Sequence, residues 1–342
     1  MKLSTISIDL AKHVFQVMGF TNTGKTLFNK RLNRQQLIEF MQMQIKCRVV
    51  MEACYSSHYW GRTFESMGHN VGLIPAQHVT PFVRGNKNDS NDTLAIFEAS
   101  CRPFIRFVPI KTMAQQEALI LHRLRERLLG TRIATSNQLR GVLTDFGIIF
   151  PVGHKGFNEK LIDLCSDESL SETLRWLVND VYSEYALLNN RIKEIEKKLK
   201  SEIERHPLGK VVLSIPGIGY LNASAFIASI GNGQAFASAK DFAVWLGLAP
   251  KQFASGNKSI MTGISKRGDQ YLRTLLIHGA RAMINHAGKK QDALNQWVCQ
   301  LRERKSFNCT AVATAHKLAR IMWTLLQKNS YYTPQIAKEI TQ

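Results

Sequence analysis

Four carboxylates in the first 92 residues are predicted to lie at strand ends and at the start of a helix, where they can bind a metal ion. Asp9 and Glu52 each follow a short apolar run, so each acid ends a predicted strand. Asp89 and Asp92 lie three residues apart before a helical pattern at 94–99, so they share one face of a helix start. Converging acids cannot all stay ionised without cations, and their hard oxygens suit Mg²⁺. Two such ions can clamp the attacking and leaving oxygens of a phosphodiester displacement.

The same acids also have plainer interpretations. Asp9 can cap the end of its strand, and either Asp89 or Asp92 can be the N-cap of the helix that follows. The ten histidines form no H-x-x-x-H or triad-like pattern, so they indicate surface or core positions. The magnesium site is therefore a prediction from the carboxylates alone.

A serine is the second candidate centre. Ser255 precedes a glycine in a predicted loop and is flanked by Lys251 and Lys258, so its hydroxyl can reach a phosphate held by cations. A Ser-Gly pair is most often only a turn. Because no base is visible nearby, a nucleophilic serine here needs other activation, and metal held by carboxylates is one known way.

Glycines and cations in the last third of the chain predict contacts with phosphate. Residues 213–219 have the pattern of a helix-hairpin-helix turn, in which Gly217 and Gly219 let backbone N–H groups approach a phosphate. The alternative is a Gly-Pro turn between two helices in contact. Further phosphate contacts are expected from three basic residues around the start of a helix at 270–284, namely Lys266, Arg267 and Arg273.

The charge balance favours a polyanionic partner. The 342 residues carry a formal charge of +19, and residues 207–342 contain seventeen Lys and Arg against five Asp and Glu. An anionic membrane also attracts such charge, but the chain has no long apolar run, signal peptide or basic amphipathic anchor. Nucleic acid is thus the expected partner. The six cysteines lack C-x-x-C spacing, which predicts reduced thiols in the cytoplasm.

Residues 1–112 are predicted to form an α/β domain. Three strands make an antiparallel meander, and two more strands follow, each after a helix. This order is typical of the sheets of the RNase H family. The predicted strands span 3–9, 14–20, 26–32, 48–51 and 71–74, and the predicted helices span 34–44 and 58–67.

Residues 113–207 are predicted to be helical, and residues 208–342 form a third, mainly α region. A near-heptad stripe runs from Val181 to Ile203, and an earlier helix over 113–146 carries a second apolar stripe. The two helices can pair as a hairpin or dimerise, or the stripes can simply be core. The connection over 147–167 is expected to be irregular because it contains Pro151, Gly153 and Gly156.

Over its whole length the chain resembles a family of mobile-element recombinases. These are the DEDD-type insertion-sequence transposases with a serine nucleophile, the RNA-guided bridge recombinases, and the closest likeness is to the subgroup with subterminal inverted repeats. The likeness rests on six segments in order: Ile8-Asp9-Leu10-Ala11-Lys12, Met51-Glu52-Ala53-Cys54, Asn86-Lys87-Asn88-Asp89-Ser90-Asn91-Asp92, Ile215-Pro216-Gly217-Ile218-Gly219, Leu246-Gly247-Leu248-Ala249-Pro250 and Gly263-Ile264-Ser265-Lys266-Arg267-Gly268.

The resemblance implies three domains and a reaction. Residues 1–112 would be an RNase H-like (RuvC-like) domain that binds Mg²⁺ through its four acids. Residues 113–207 would be a coiled coil, and residues 208–342 a transposase domain with a helix-hairpin-helix. Ser255 falls on the family's nucleophile, which forms a covalent phosphoserine with DNA. Phe253 and Ala254 depart from some relatives, which have a tyrosine and an acid there.

The partners implied by the resemblance are donor DNA, target DNA and a noncoding bridge RNA encoded by the element. A cytoplasmic, nucleoid-associated homo-oligomer, either a dimer or a dimer of dimers, is expected. We also expect a composite active site, because helices of about 30 residues span about 45 Å and can hold the acids and the serine of one chain apart.

Two other functions remain open from the sequence. A metal-dependent resolvase or nuclease would use the carboxylates without the serine and would leave no protein–DNA adduct. A non-enzymatic nucleic-acid-binding protein would use only the basic surface and would not need Asp9.

Overall fold

The computed structural model describes residues 2–85, 88–256 and 258–335. The chain divides into two compact units, Met1–Ala114 and Gln115–Gln342. Asn86 and Lys87 of the predicted acidic segment, and Asn257 beside the serine, lie outside the described residues. The second unit contains both the predicted helical middle and the C-terminal region, so the division expected after residue 207 stays a prediction.

The first unit is built on a five-stranded mixed sheet in the order β3-β2-β1-β4-β5. β1 pairs antiparallel with β2 and β2 antiparallel with β3, whereas β1, β4 and β5 are parallel. This is the sheet that the sequence predicts, and it is compatible with an RNase H-like fold. The strands are β1 Thr5–Asp9, β2 Val14–Phe20, β3 Thr26–Asn33, β4 Arg48–Glu52 and β5 Asn70–Ile74.

Helices cover the sheet and close its core. The Asn33 side chain accepts a hydrogen bond from the Gln36 backbone and the Gln36 side chain accepts one from the Asn33 backbone, a capping box that starts α1. Phe15 and Trp60 meet edge to face, 5.1 Å between ring centroids, in the core between sheet and helix. The helices are α1 Arg34–Met43, α2 Ser57–Ser66, the short α3 Ala76–Val79 and α4 Asp89–Ser100.

The second unit begins with three helices, α5 Met113–Thr144, α6 His154–Cys165 and α7 Glu172–Arg205. The expected irregular connection over 147–167 is therefore wrong, since α6 lies within it. Phe157, Leu161 and Leu164 are spaced at three and four residues and are buried together, which is enough to fix a helix after Pro151 and Gly153.

α5 and α7 form an antiparallel hairpin. Successive side-chain contacts join residues 125, 132 and 135 of α5 to residues 196, 189 and 184 of α7, so one number falls as the other rises. Gln115 donates to the carbonyl of Ile227 at 3.2 Å, and Ile203 belongs to the same C-terminal core as Ile227. The two helices therefore fold back on each other within the second unit and do not form one extended rod, and the expected separation of the acids from the serine stays a prediction.

The predicted apolar stripe of α7 is core of this chain. Tyr185, Leu188, Ile192, Ile195, Leu199 and Ile203 are all buried. The middle of the stripe packs against Leu128 of α5, with Leu121 and Leu124 partly buried beside it. Hairpin pairing and core formation are therefore confirmed, whereas dimerisation through this stripe is wrong because its side chains have no free surface.

The rest of the second unit is mainly helical around a core that includes Phe226, Phe242 and Leu318. A two-stranded antiparallel hairpin interrupts the helices where the sequence predicts only a loop. The elements are α8 Gly209–Leu213, α9 Tyr220–Ile230, α10 Ala239–Trp245, β6 Pro250–Ser255, β7 Lys258–Ile264, α11 Gln270–His286, α12 Ala293–Arg304 and α13 Phe307–Lys328.

Across the described ranges, none of the helices is long and apolar enough to cross a bilayer.

Replacing Leu199 with alanine should lower stability rather than association. Leu199 is fully buried between α5 and α7, so the truncation should cost about 2–5 kcal/mol of unfolding free energy. Leu187→Ala is the matched control on the same helix, since Leu187 is 57% exposed and should cost less than about 0.5 kcal/mol. Urea unfolding measures the difference. A Leu199→Ala protein of normal stability that no longer self-associates would contradict the assignment of the stripe to the core.

Candidate active site

The strand register brings two of the predicted acids to one edge of the sheet. β1 and β4 are parallel neighbours in which Ile8 lies opposite Met51, and the next residues are Asp9 and Glu52. Both acids are therefore at the carboxyl ends of adjacent strands, and both are partly buried. Neighbouring parallel strands lie about 4.8 Å apart, which places the two carboxylates within interaction distance.

The other two acids come from the first turn of α4, which is fixed on β1 by a buried hydrogen bond. The Ser7 hydroxyl donates to the backbone carbonyl of Thr93 at 2.7 Å. The Asn88 side chain accepts from the Asn91 backbone N–H at 2.8 Å and caps the helix. The alternative that Asp89 or Asp92 is the N-cap is therefore wrong, and both carboxylates are left for other contacts.

The four acids lie close enough for the charges of three of them to affect the ionisation of Asp9. The pKa of Asp9 is raised from 3.8 to about 6, first by burial and then by the negative charges of Asp92, Asp89 and Glu52. A backbone hydrogen bond from Leu10 opposes the shift. Folding thus gathers like charges that repel one another. The cost of this arrangement falls when Asp9 is protonated or when a cation lies between the acids.

The donor set of this cluster fits a hard divalent cation. All four groups are carboxylates, which Mg²⁺ prefers, and their mutual repulsion favours a cation among them. Within residues 2–85, 88–256 and 258–335, however, no three His, Cys, Asp or Glu side chains are already close enough to hold a metal ion. Binding would therefore require the carboxylates to draw closer, and Mg²⁺ stays a prediction.

Ser255 belongs to the second unit and ends strand β6. It pairs with Lys258 across a tight turn, so the hairpin places a lysine opposite the serine. Both residues, and Lys251 on the same strand, are exposed. The expected loop is thus the tip of a β-hairpin. Among the described residues the hairpin contains no histidine or carboxylate that can serve as a general base for the serine.

Two glycines anchor the base of this hairpin. A side chain on Gly247 would lie 2.1 Å from the carbonyl oxygen of Arg267, and one on Gly268 would lie 1.9 Å from that of Trp245. Both glycines have positive φ, which other residues adopt only with strain. Lys266 between them also has a positive φ of 54°, which is uncommon for a residue with a side chain. The close backbone approach fixes where the hairpin leaves the helical core.

The predicted phosphate contacts divide into exposed and buried groups. Lys266 and Arg267 are exposed beside the base of the hairpin. Arg273 is only 9% exposed, and its guanidinium donates to the carbonyl of Leu246 at 3.1 Å. The guanidinium is used within the fold, so the phosphate contact predicted for Arg273 is corrected to a structural contact.

The glycine turn between α8 and α9 likewise has one structural and one open position. Gly217 has φ of 79°, and a side chain there would lie 2.6 Å from the carbonyl oxygen of Gly279 on α11. This supports the alternative of a turn between helices in contact. Gly219 is exposed at the N-cap of α9, with open space around it and no side-chain cap, so its phosphate contact stays a prediction.

Sequence reasoning missed the groups that position the acids. Ser7 is buried on β1, and its signal was a polar residue inside the apolar run Ile6-Ser7-Ile8. Asn88 is three residues before Asn91 and one before Asp89, which is the usual place for an N-cap. Asn29 of β3 donates to the Ser90 hydroxyl at 3.0 Å, and no local pattern indicates that contact.

Comparison with known proteins defines the class of this chain. The family model of the Transposase IS116/IS110/IS902 family matches residues 209–296, and a second transposase model, of the DEDD type, matches residues 6–148. The chain is 40% identical over 337 residues to a probable family 20 transposase of Pseudomonas aeruginosa, covering 98% of this chain and 100% of the relative.

Two further relatives agree with this class. The transposase for insertion sequence element IS1111A of Coxiella burnetii is 40% identical over 96% of this chain and 91% of its own length. The transposase for insertion sequence element IS1328 of Yersinia enterocolitica is 37% identical over 97% of this chain and 99% of its own length. The chain is thus a transposase, an enzyme that transfers DNA. It belongs to the IS110/IS116 family of insertion-sequence transposases.

Replacing Asp9 with asparagine should stabilise the metal-free protein at neutral pH. The folded pKa of Asp9 lies near 6 and the unfolded value near 3.8, so between these values the folded state binds more protons. The contribution of Asp9 to the free energy of unfolding is fully present below pH 3.8 and is lost as pH rises through about 6. The neutral asparagine avoids that loss, so Asp9→Asn should melt above wild type only at the higher pH values. Thermal melts across this pH range measure the effect.

Glu98→Gln is the control for this experiment, because Glu98 is on α4 with Asp89 and Asp92 but pairs with Arg84 at 3.5 Å. It should show no gain of stability as pH rises. Added Mg²⁺ should stabilise wild type more than Asp9→Asn, since an ion that binds only the folded state raises its stability. Equal responses of wild type and Asp9→Asn to both pH and Mg²⁺ would contradict the carboxylate cluster.

Proposed function

We propose that this transposase is an RNA-guided recombinase that exchanges DNA strands through a phosphoserine at Ser255, aided by Mg²⁺ on Asp9, Glu52, Asp89 and Asp92. The observation that carries the proposal is the register of β1 and β4, which ends both strands on an acid, together with the first turn of α4, whose Asp89 and Asp92 lie near enough to help raise the pKa of Asp9. The exposed Ser255 opposite Lys258 supplies the second centre. The resemblance of the chain to serine-type bridge recombinases suggests that the carboxylates and Ser255 act in one reaction. The first domain is then RuvC-like.

The serine step conserves the phosphodiester bond energy. The Ser255 oxygen attacks the phosphorus and loses its proton, the phosphorus–oxygen bond to the sugar breaks, and the leaving sugar oxygen gains a proton. Attack by a sugar hydroxyl of another strand then restores the DNA backbone and frees the serine. No ATP is consumed, because each bond broken is matched by one formed.

The charges around the two centres have separate roles in this proposal. Lys251 and Lys258 would stabilise the negative charge that develops on the attacked phosphate. When bound, Mg²⁺ would supply Lewis-acid activation of the phosphate and of the serine hydroxyl. Lys266, Arg267 and the N-terminus of α9 at Gly219 would hold the DNA backbone without reading its sequence.

DNA is the substrate of a transposase, whereas the guide RNA is part of the proposal. A noncoding RNA encoded by the element would pair with donor and target, so the protein would recognise helix shape and backbone rather than bases. Helix-hairpin-helix binding at 213–219, the subgroup with subterminal inverted repeats and association with the nucleoid belong to the same proposal. A resolvase without serine chemistry is less favoured, since the relatives are named transposases.

The test of the serine chemistry is a covalent adduct. Wild-type protein with guide RNA, donor and target should give a protease-sensitive protein–DNA species on denaturing gels. Ser255→Ala should give no adduct and no cleavage. Ser259→Ala is the matched control because Ser259 is an exposed serine on β7 of the same hairpin. Cleavage by Ser255→Ala would transfer the nucleophile elsewhere and favour a resolvase.

The active site is expected to be composite, with the acids from one subunit and Ser255 from another. Because α5 and α7 fold back on each other, a long helical spacer no longer argues for this arrangement. The remaining argument is that pairing two DNA partners requires an even, symmetric assembly. Asp9→Asn and Ser255→Ala proteins, each inactive alone, should recover partial strand exchange when mixed. No recovery in confirmed hetero-assemblies would show that each subunit completes its own site.

A further inference from the structure

A groove in the second unit contains more basic side chains than acidic ones to pair with them. It is a cavity of about 610 Å³ lined by α5, α6 and α7. Its walls contain two carboxylates, Glu159 and Glu196, and four cations, Arg125, Arg132, Lys155 and Lys193.

Two of the four cations are neutralised within the fold. The guanidinium of Arg125 contacts the carboxylate of Glu196 at 2.7 Å, and Lys155 lies 3.8 Å from Glu159. In the part of the chain that the structure describes, neither Arg132 nor Lys193 forms an ion pair. The groove therefore has a net positive charge, and that charge is concentrated on these two side chains.

Arg132 is held in place by an asparagine and a histidine rather than by a carboxylate. Its Nη1 donates to Asn189 Oδ1 at 2.9 Å and lies 3.3 Å from Nε2 of His154. His154 is fixed in turn by the buried Tyr185 hydroxyl, 2.8 Å from its Nδ1. Arg132 and His154 also line an adjoining cavity of about 340 Å³. A guanidinium oriented without a carboxylate partner keeps its charge available for a ligand, and its remaining N–H donors match a phosphate.

The N-terminus of α6 adds to this field. His154 and Lys155 form its first turn and line the groove, and its N-cap Gly153 offers no side chain to satisfy the free backbone N–H groups. Arg140 donates to the carbonyls of Phe150, Pro151 and Gly153, which fixes the turn that leads into the helix. The groove thus combines oriented side-chain cations with a fixed helix N-terminus.

An aromatic ring stands beside the cations. Tyr182 of α7 lines the groove and is 36% exposed, so part of its side chain is accessible to a ligand in the groove. Proteins that bind single-stranded nucleic acid usually combine two elements. Basic residues follow the phosphate backbone, and an aromatic ring stacks on a base. A duplex keeps its bases stacked and offers no free base to such a ring.

We propose that this groove binds an unpaired nucleic-acid strand, with phosphates on Arg132 and Lys193 and a base against Tyr182. RNA and DNA strands share this chemistry. The site goes beyond the proposed recombination chemistry, because it uses neither the carboxylates nor Ser255, and its binding can be measured without strand exchange.

Salt dependence of binding tests the proposal on the full-length protein. The affinity for a fluorescent single-stranded RNA, a DNA strand of the same sequence and the matching duplex DNA is measured at several salt concentrations. Lys193→Ala and Arg132→Ala should each weaken single-strand binding and reduce the slope of log K against log salt by about 0.7, and the double variant by about 1.4. Tyr182→Leu should weaken binding without changing that slope.

Arg127→Ala is the matched control, since Arg127 is exposed on α5, loses the same charge and lines neither cavity. It should bind like wild type. Lys193 is exposed, so its variant tests the site without loss of folded contacts. Weakening of RNA alone, of single-stranded DNA alone or of both supports the site and identifies the strand. Unchanged slopes, equal losses in Arg127→Ala, or a loss confined to the duplex would overturn it.

Discussion

Repulsion among four carboxylates is the constraint around which the first unit is organised. Burial and three neighbouring negative charges raise the pKa of Asp9 to about 6, so the sheet must hold together against charges that it has itself gathered. Core contacts such as Phe15 with Trp60 supply that stability, and the Ser7–Thr93 hydrogen bond holds α4 against β1 despite the repulsion. A site under such electrostatic stress is prepared to gain stability from a cation.

In the second unit, the proposed nucleophile Ser255 lies outside the core, on the hairpin of β6 and β7. Ser255 stands on a hairpin whose described residues are exposed except for Ile264 at its base, so side-chain burial contributes little to its stability. Two-stranded ribbons are marginal in water, and this one depends on its base, where Gly247 and Gly268 allow the backbones to meet. The nucleophile proposed here would therefore be presented to solvent by a ribbon whose position is fixed at one end only.

Much of this fold was predictable from local pattern. The strand Val14–Phe20 was located to the residue, and all five strands occur in the expected succession along the chain, because alternation and turn residues are local signals. Ser7 and Thr93 are 86 residues apart, and no local signal connects them. The periodicity of α7 could not show whether its stripe meets this chain or a copy, since both give the same spacing. α6 and the hairpin were missed because their glycines and prolines outweighed short apolar signals.

The charge distribution gives both the region of the four carboxylates and the C-terminal region an excess of basic residues. A polyanion approaching four carboxylates is repelled unless positive charge accompanies it, and screening by salt reduces that repulsion only beyond about 10 Å. Residues 207–342 contain seventeen Lys and Arg against five Asp and Glu, and residues 1–112 contain fourteen against seven, so positive charge is in excess in both regions. The basic residues can then hold DNA through its backbone without neutralising the carboxylates. The carboxylates in turn remain available for the small divalent cation that a phosphodiester displacement requires, because a lysine placed among them would occupy its position.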